Sequence, residues 1–234
     1  MSNKEHEVFN KEKLNTIFKK YSINPKKYSR YQTALTHSSY KNEHNLNNDY
    51  ERYEFLGDSA VSWVITNYLF DKENLAEGEM SIIKAKLVST KSLAKATRML
   101  GLDELILLGN GMKNKALTDK VLEDVFEAFI GAVAKDVGIK KAQLIIKDTV
   151  IKMYNHGEIN TSKPYKTLIQ EYLGRSENKE IRYIPLNEKN ETPRRVRLEF
   201  NGITYAEGFG NTLKEAEENA AFNCYSLVAN KQHH

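Results

Sequence analysis

What most restricts the fold of this chain is a change in its hydrophobic period. From Glu12 to about Tyr154 apolar residues recur at helical spacing, as in Ile82, Leu87, Leu93, Ala96, Met99 and Leu100, and Pro25 is the only proline in that stretch. Gly101, Gly109 and Gly111 read as stops between helices, and the Asn-rich run from Asn42 to Asn48 reads as a polar loop. This pattern predicts an all-α first domain over 12–155. After His156 the period is lost, and 156–162 reads as a linker. Pro164 then opens a short helix to Leu173, because proline suits the first helical turn.

Beyond it, Val196, Leu198 and Phe200 alternate with Arg195, Arg197 and Glu199, the signature of a half-buried strand. Asn201-Gly202 follows at once, and both positions of a tight hairpin turn need the positive φ these residues tolerate. Ile181 to Leu186 supplies a preceding strand, and Ile203 and Tyr205 begin the return strand. Thr212 is a good N-cap for a last helix whose inner face carries Leu213, Ala216, Ala220, Cys224 and Leu227. The expected fold class is an all-α domain followed by a small α+β domain of order α-β-β-β-α over 163–230.

Composition excludes several classes. With 234 residues, 40% hydrophobic and 28% charged, the chain has the make-up of a globular protein, long enough for two modest domains. The most apolar run, Ala60 to Phe70, is interrupted by Ser62, Thr66 and Asn67 and falls short of a membrane span. Residues 1–13 lack the apolar stretch of a secretory leader, and the lone Cys224 precludes an internal disulfide, so a cytoplasmic protein with no membrane partner is expected. The net charge of +4 permits a polyanionic partner without requiring one.

The chemistry is carried by carboxylates. On a helix, Glu51, Glu54 and Asp58 (i, i+3, i+7) fall within roughly 60° of one another. Asp124 and Glu127 sit at i, i+3 in one of the most apolar segments of the chain, where unpaired acids are costly. Solvent-exposed acids would account for any one of the five. All five together are better satisfied by a hard divalent cation, which takes oxygen ligands; the chain has no Cys or His cluster of the kind zinc prefers. Phe55 and Leu56 beside the acid stripe suggest a packed helix, and Phe55, Trp63, Tyr68 and Phe70 read as core rather than as a subunit interface. His37, in Thr36-His37-Ser38-Ser39, reads as a structural hydrogen-bonder.

The segment Glu51-Arg52-Tyr53-Glu54-Phe55-Leu56-Gly57-Asp58-Ser59 resembles the signature of the ribonuclease III family, with Tyr53 where Leu is usual. The likeness extends through Leu35 to Tyr40, Glu77-Gly78-Glu79-Met80, Lys86 to Ser89 and Leu122 to Ala128, and Lys163 to Ala229 is similar to a double-stranded RNA-binding domain. The resemblance implies an endoribonuclease that cleaves duplex RNA with Mg²⁺ (Mn²⁺ as a substitute), leaving 5′-phosphate and 3′-hydroxyl ends with short 3′ overhangs. It also implies a homodimer formed through the catalytic domain, and work on ribosomal RNA precursors and messages.

By the same resemblance Asp58 and Glu127 are catalytic, Glu54, Asp124 and Glu127 hold metal, and Glu51 and Glu77 are supporting acids nearby. Thr167, Gln170 and Glu171 match the helix that lies in an RNA minor groove. Pro193, Arg194 and Arg195 fall in the loop before the second strand, where Thr192 and Arg195 replace the usual Gly and His. Lys214 is the one cation opening the last helix; Leu213 stands where a basic residue is expected, with Glu215, Glu217 and Glu218 close by. Residues 163–234 carry 11 basic and 10 acidic side chains, so weaker duplex binding than the family norm is expected of this part.

Overall fold

The computed structural model describes residues 10–72, 74–113, 115–173 and 180–230. It divides into two units, Met1–Thr161 and Ser162–His234, each with its own core.

The first unit is built around a buried helix, α8 (Asp119–Val137). Thr118 starts it by accepting the Val121 N–H on its hydroxyl (3.3 Å), and Gly138, at φ 99°, turns the chain away at its end. Leu122 and every residue from Asp124 to Val133 are buried, so this helix faces protein on all sides. Packed around it are α2 (Tyr28–Ala34), α4 (Glu51–Phe70), α6 (Thr90–Leu100) and α9 (Ile139–Ile146). The unit also contains α1 (Lys11–Lys20), α3 (Ser38–His44), α5 (Glu77–Leu87), α7 (Asn110–Lys113) and α10 (Lys152–Asn155), with a 3-10 turn at Asp103–Leu105 and a π-helical turn at Lys147–Ile151. Gly101 ends α6 in the left-handed conformation, as its position predicts. The Asn-rich run is half helix: α3 continues to His44, and Asn45 (φ 51°) begins the loop.

The buried Asp136 carboxylate, near the end of α8, ties the N-terminal segment to that helix. It accepts from the Lys26 and Lys27 N–H groups (2.7 and 3.0 Å), the Arg30 guanidinium (2.6 Å) and the Tyr31 hydroxyl (3.1 Å). These bonds hold its carboxyl below the usual range even though burial opposes the charge.

The aromatic residues of α4 depart from expectation. Its buried side is Gly57, Ala60, Val61, Val64, Ile65 and Leu69. Phe55, Trp63 and Phe70 lie roughly opposite and are 81%, 54% and 74% exposed; only Tyr68 of the four reaches the core. A helix apolar on both sides has no single hydrophobic face, so its pattern could not tell core from outer surface.

In the second unit, β1 (Ile181–Pro185), β2 (Arg194–Phe200) and β3 (Ile203–Gly210) form an antiparallel sheet in the order β1-β2-β3. Asn201 (φ 50°) and Gly202 (φ 78°) make the expected hairpin turn. Helix α12 (Leu213–Asn230) lies against β2 and β3, and α11 (Tyr165–Leu173) packs against α12. The core includes Ile169, Val196, Leu198, Ala216, Ala220 and Cys224. Leu213 and Leu227, expected on the inner face of α12, are instead exposed at 39% and 54%.

Candidate active site

Helices α4 and α8 cross with their backbones in contact. A methyl group at Gly57 would overlap the Glu127 carbonyl, and one at Gly131 would overlap the Tyr53 carbonyl. Only glycine lets the helices come this close, and the closeness brings acids 70 residues apart in sequence together. Ligand oxygens of Glu54, Asp124 and Glu127 lie within 4.8 Å of one another. Glu51, Glu54, Phe55, Asp58, Lys120, Glu123 and Glu127 line an open recess of about 470 Å³.

The acids differ in setting. Glu51 and Asp58 are exposed at the mouth, Glu54 is half-buried, and Asp124 and Glu127 are 8% and 7% exposed. Burial pushes the Glu127 carboxyl up to about 8, with Asp58 and Glu123 adding to the effect. Glu54 is raised in the same way, by burial and then by Asp124. One Asp124 oxygen, Oδ2, takes a long bond from the Tyr50 hydroxyl (3.4 Å); the other, Oδ1, is buried and accepts no aligned hydrogen bond. His37 accepts the Ser39 N–H on Nδ1 (3.0 Å) and packs edge-on against Tyr50, the structural part foreseen for it.

This donor set fits a hard divalent ion. It is all oxygen, three carboxylates converge, and two of them are buried, with a single ammonium, Lys120, set against Asp124. Glu77 does not join it. That residue opens α5, accepts from the Ser81 hydroxyl (3.0 Å), and lines a different recess with Thr66, Leu69, Phe70, Met80 and Lys84. Nearness in the sequence pattern did not carry it to the cluster within one chain.

Lys120 escaped the sequence analysis. Its ammonium lies 2.7 Å from Asp124 Oδ1 and 3.2 Å from Glu123 Oε2. The i, i+4 spacing from Lys120 to Asp124 on a helix was the available signal.

In the second unit Thr167 is half-buried on α11, while Gln170 and Glu171 are exposed, the latter paired with Lys163 (3.0 Å). Pro193 lies in the loop before β2, its carbonyl accepting from the Asn187 amide (2.9 Å). Arg194 and Arg195 are not loop residues; they are the first two of β2 and point to opposite faces. Arg194 is 8% exposed and donates to the Glu188 carbonyl, so it braces the loop from within. Arg195 lies on the other face of the sheet, 5.3 Å from the Phe209 ring and near Glu207 (3.4 Å). Lys214 is exposed in the first turn of α12. The three glutamates that follow it are engaged: Glu215 accepts from the Asn211 N–H (2.8 Å), Glu217 pairs with Lys166 (2.6 Å) and Glu218 accepts the Tyr165 N–H.

Comparison with known proteins agrees with both units. Residues 29–154 match the family described as ribonuclease-III-like, and residues 165–228 match the double-stranded RNA binding motif. Ribonuclease 3 of Ureaplasma parvum serovar 3 is 43% identical over 217 residues, which cover 88% of this chain and 92% of that one. Ribonuclease 3 of Spiroplasma citri is 36% identical over 230 residues, 93% and 92% of the two chains. The nuclease domain of ribonuclease III from Campylobacter jejuni, in a structure described for flexibility in a region involved in dimer formation, is similar with a TM-score of 0.55 and 32% identity, over 59% of this chain and 96% of that domain. With the acid signature, the helical unit and the α-β-β-β-α unit in one chain, this protein belongs to the ribonuclease III family of endoribonucleases and carries a double-stranded RNA-binding domain.

Proposed function

We propose that the chain cleaves double-stranded RNA with a divalent cation, Mg²⁺ by preference and Mn²⁺ in its place, leaving 5′-phosphate and 3′-hydroxyl ends with short 3′ overhangs. The observation that carries this reading is the convergence of Glu54, Asp124 and Glu127 at the α4–α8 crossing. These three would hold the ion, and Asp58 at the mouth, with Glu127 behind it, would orient water and accept its proton. A bound Mg²⁺ supplies the positive charge that an attacked phosphate needs. Burial of Asp124 and Glu127 makes that charge act in a partly dry setting, where it is worth more than in water. Glu51 serves as a nearby acid; a supporting part for Glu77 would have to be exerted from outside this recess.

Duplex RNA would be held by Thr167, Gln170 and Glu171 on α11, by the loop ending at Pro193, and by Lys214, with Arg194 shaping that loop and Arg195 at its end. A homodimer through the catalytic unit is supported by the exposed Phe55, Trp63 and Phe70, which form an apolar stripe on the outer side of α4. A second copy on that stripe would set two acid recesses near one duplex. Processing of ribosomal RNA precursors and of messages in the cytoplasm is the expected role. No helix among the described residues is long and apolar enough to cross a membrane.

The test incubates a long RNA duplex with the protein in Mg²⁺ or in EDTA. Cleavage that requires Mg²⁺ and is lost in Asp58→Asn and Glu127→Gln supports the reading. Binding without cleavage in Mg²⁺ would refute it and leave a duplex-binding protein.

A further inference from the structure

Six carboxylates meet at the α4–α8 crossing, and Lys120 is the cation that lines the recess with them. Its ammonium is 2.7 Å from Asp124 Oδ1 and 3.2 Å from Glu123 Oε2, two buried oxygens with no other partner among the described residues, so the contact is a charge-assisted one. The two ends of the pair are unlike: the Lys120 side chain is 64% exposed, the Asp124 side chain 12%. Asp124 is therefore fixed in the helix packing, while Lys120 reaches in from solvent on a flexible stem and can swing back into water once another cation takes its place.

A divalent ion on Asp124 would need its ligand oxygens at about 2.0 to 2.1 Å, closer than an ammonium can share. The other Asp124 oxygen takes only a long bond from the Tyr50 hydroxyl (3.4 Å), so Lys120 makes the closest contact with this carboxylate and is the more mobile of its two partners. Resting on the reading of Glu54, Asp124 and Glu127 as metal ligands, we propose that Lys120 is a displaceable counter-ion of the metal site. It offsets Asp124 and Glu123 while the metal is absent, competes with the metal for Asp124, and so sets the metal concentration at which the site loads.

The competition has a sign that a purely structural lysine would not produce. Removing the ammonium leaves the metal-free cluster with uncompensated like charges, yet makes it a stronger trap for a dication. Lys120→Gln should bind Mn²⁺ about ten-fold more tightly than wild type at moderate salt, the scale of one unit charge acting on a nearby dication through a partly wet site. The metal-free full-length variant should melt lower than wild type and gain more on adding Mn²⁺, while Lys120→Arg, which keeps the charge, should stay near wild type. The measurement is Mn²⁺ binding by calorimetry with no RNA present, paired with melting curves in EDTA and in Mn²⁺. Equal or weaker Mn²⁺ binding by Lys120→Gln overturns the competition. Failure of wild type to bind Mn²⁺ in a manner lost in Glu127→Gln overturns the metal site and the competition together.

Discussion

Replacing Gly57 with alanine asks whether the acid cluster depends on backbone contact between α4 and α8. Helix propensity alone favours the change, since Gly in a helix interior is roughly 1 kcal/mol worse than Ala. The tertiary structure opposes it. The added methyl would overlap the Glu127 carbonyl and lie 3.0 Å from Glu127 Cα, and both obstacles are backbone of a buried helix that no rotamer change can move. Recovering ordinary contact at about 3.5 Å means separating the helices by on the order of 1 Å or more. Overpacking of this kind costs about 3 kcal/mol at the upper end of its usual range. Set against the propensity gain, roughly 2 kcal/mol is lost, a fall in Tm of about 4 to 8 °C for a domain this size. Function should suffer more than stability, because ligand distances in a metal site tolerate only about 0.2 Å. Melting followed by far-UV circular dichroism, with calorimetric Mn²⁺ titration, should show the lower Tm and at least ten-fold weaker binding. A variant that melts at or above wild type and binds Mn²⁺ equally well would refute the idea that glycine-mediated closeness builds the site.

Three further outcomes are expected. Asp136→Asn should lower Tm by about 6 to 12 °C, corresponding to about 3 kcal/mol for breaking a buried, multiply bonded carboxylate. Because the Asp136 carboxyl is held low in the folded chain, its contribution is present above the unfolded value of 3.8 and fades as pH falls through the folded one; Asp136→Asn should therefore flatten the acid side of a Tm-against-pH curve, and an unchanged curve counts against the hub. Phe55→Ser combined with Trp63→Ser should convert a dimer into monomers in sedimentation at micromolar concentration without a large loss of Tm, since both side chains lie outside the core; a variant that stays dimeric places the interface elsewhere. Leu213→Lys, at an exposed position, should tighten duplex RNA binding at moderate salt and steepen its salt dependence by about one unit of slope, and no change in either removes the suspicion about this helix.

The acidic neighbours of Leu213 now read differently. Glu217 and Glu218 hold α12 to the start of α11 through Lys166 and the Tyr165 N–H, and Glu215 caps its own helix. They are building parts of the domain as well as a local negative charge, which makes Leu213 the cleaner place to restore a phosphate contact.

Local physics decided what the sequence made legible. The hydrophobic periods separated a helical part from an α-β-β-β-α part; Gly101, Thr212 and Asn201-Gly202 act through their own backbone preferences, so capping and turn chemistry could be read in place. Acid spacing of three and seven residues likewise put Glu51, Glu54 and Asp58 on one stripe. What needed the tertiary structure was every question of which surface meets which. Phe55, Trp63 and Phe70 carry the same apolar signal as Val61, Val64 and Leu69, and only the packing of α4 on α8 distinguishes the exposed set from the buried one. Alternation along a strand says that Arg194 and Arg195 point apart, but burial of Arg194 depends on the loop folding back so that the Glu188 carbonyl meets its guanidinium. Glu77 and Lys120 make the same point from opposite sides: an acid resembling a site residue lies in another recess, and a lysine with no expected part stands among the clustered acids. A sequence fixes directions along its own helices and strands, whereas the distance between two helices, here set by glycine against backbone, determines whether their acids make one site.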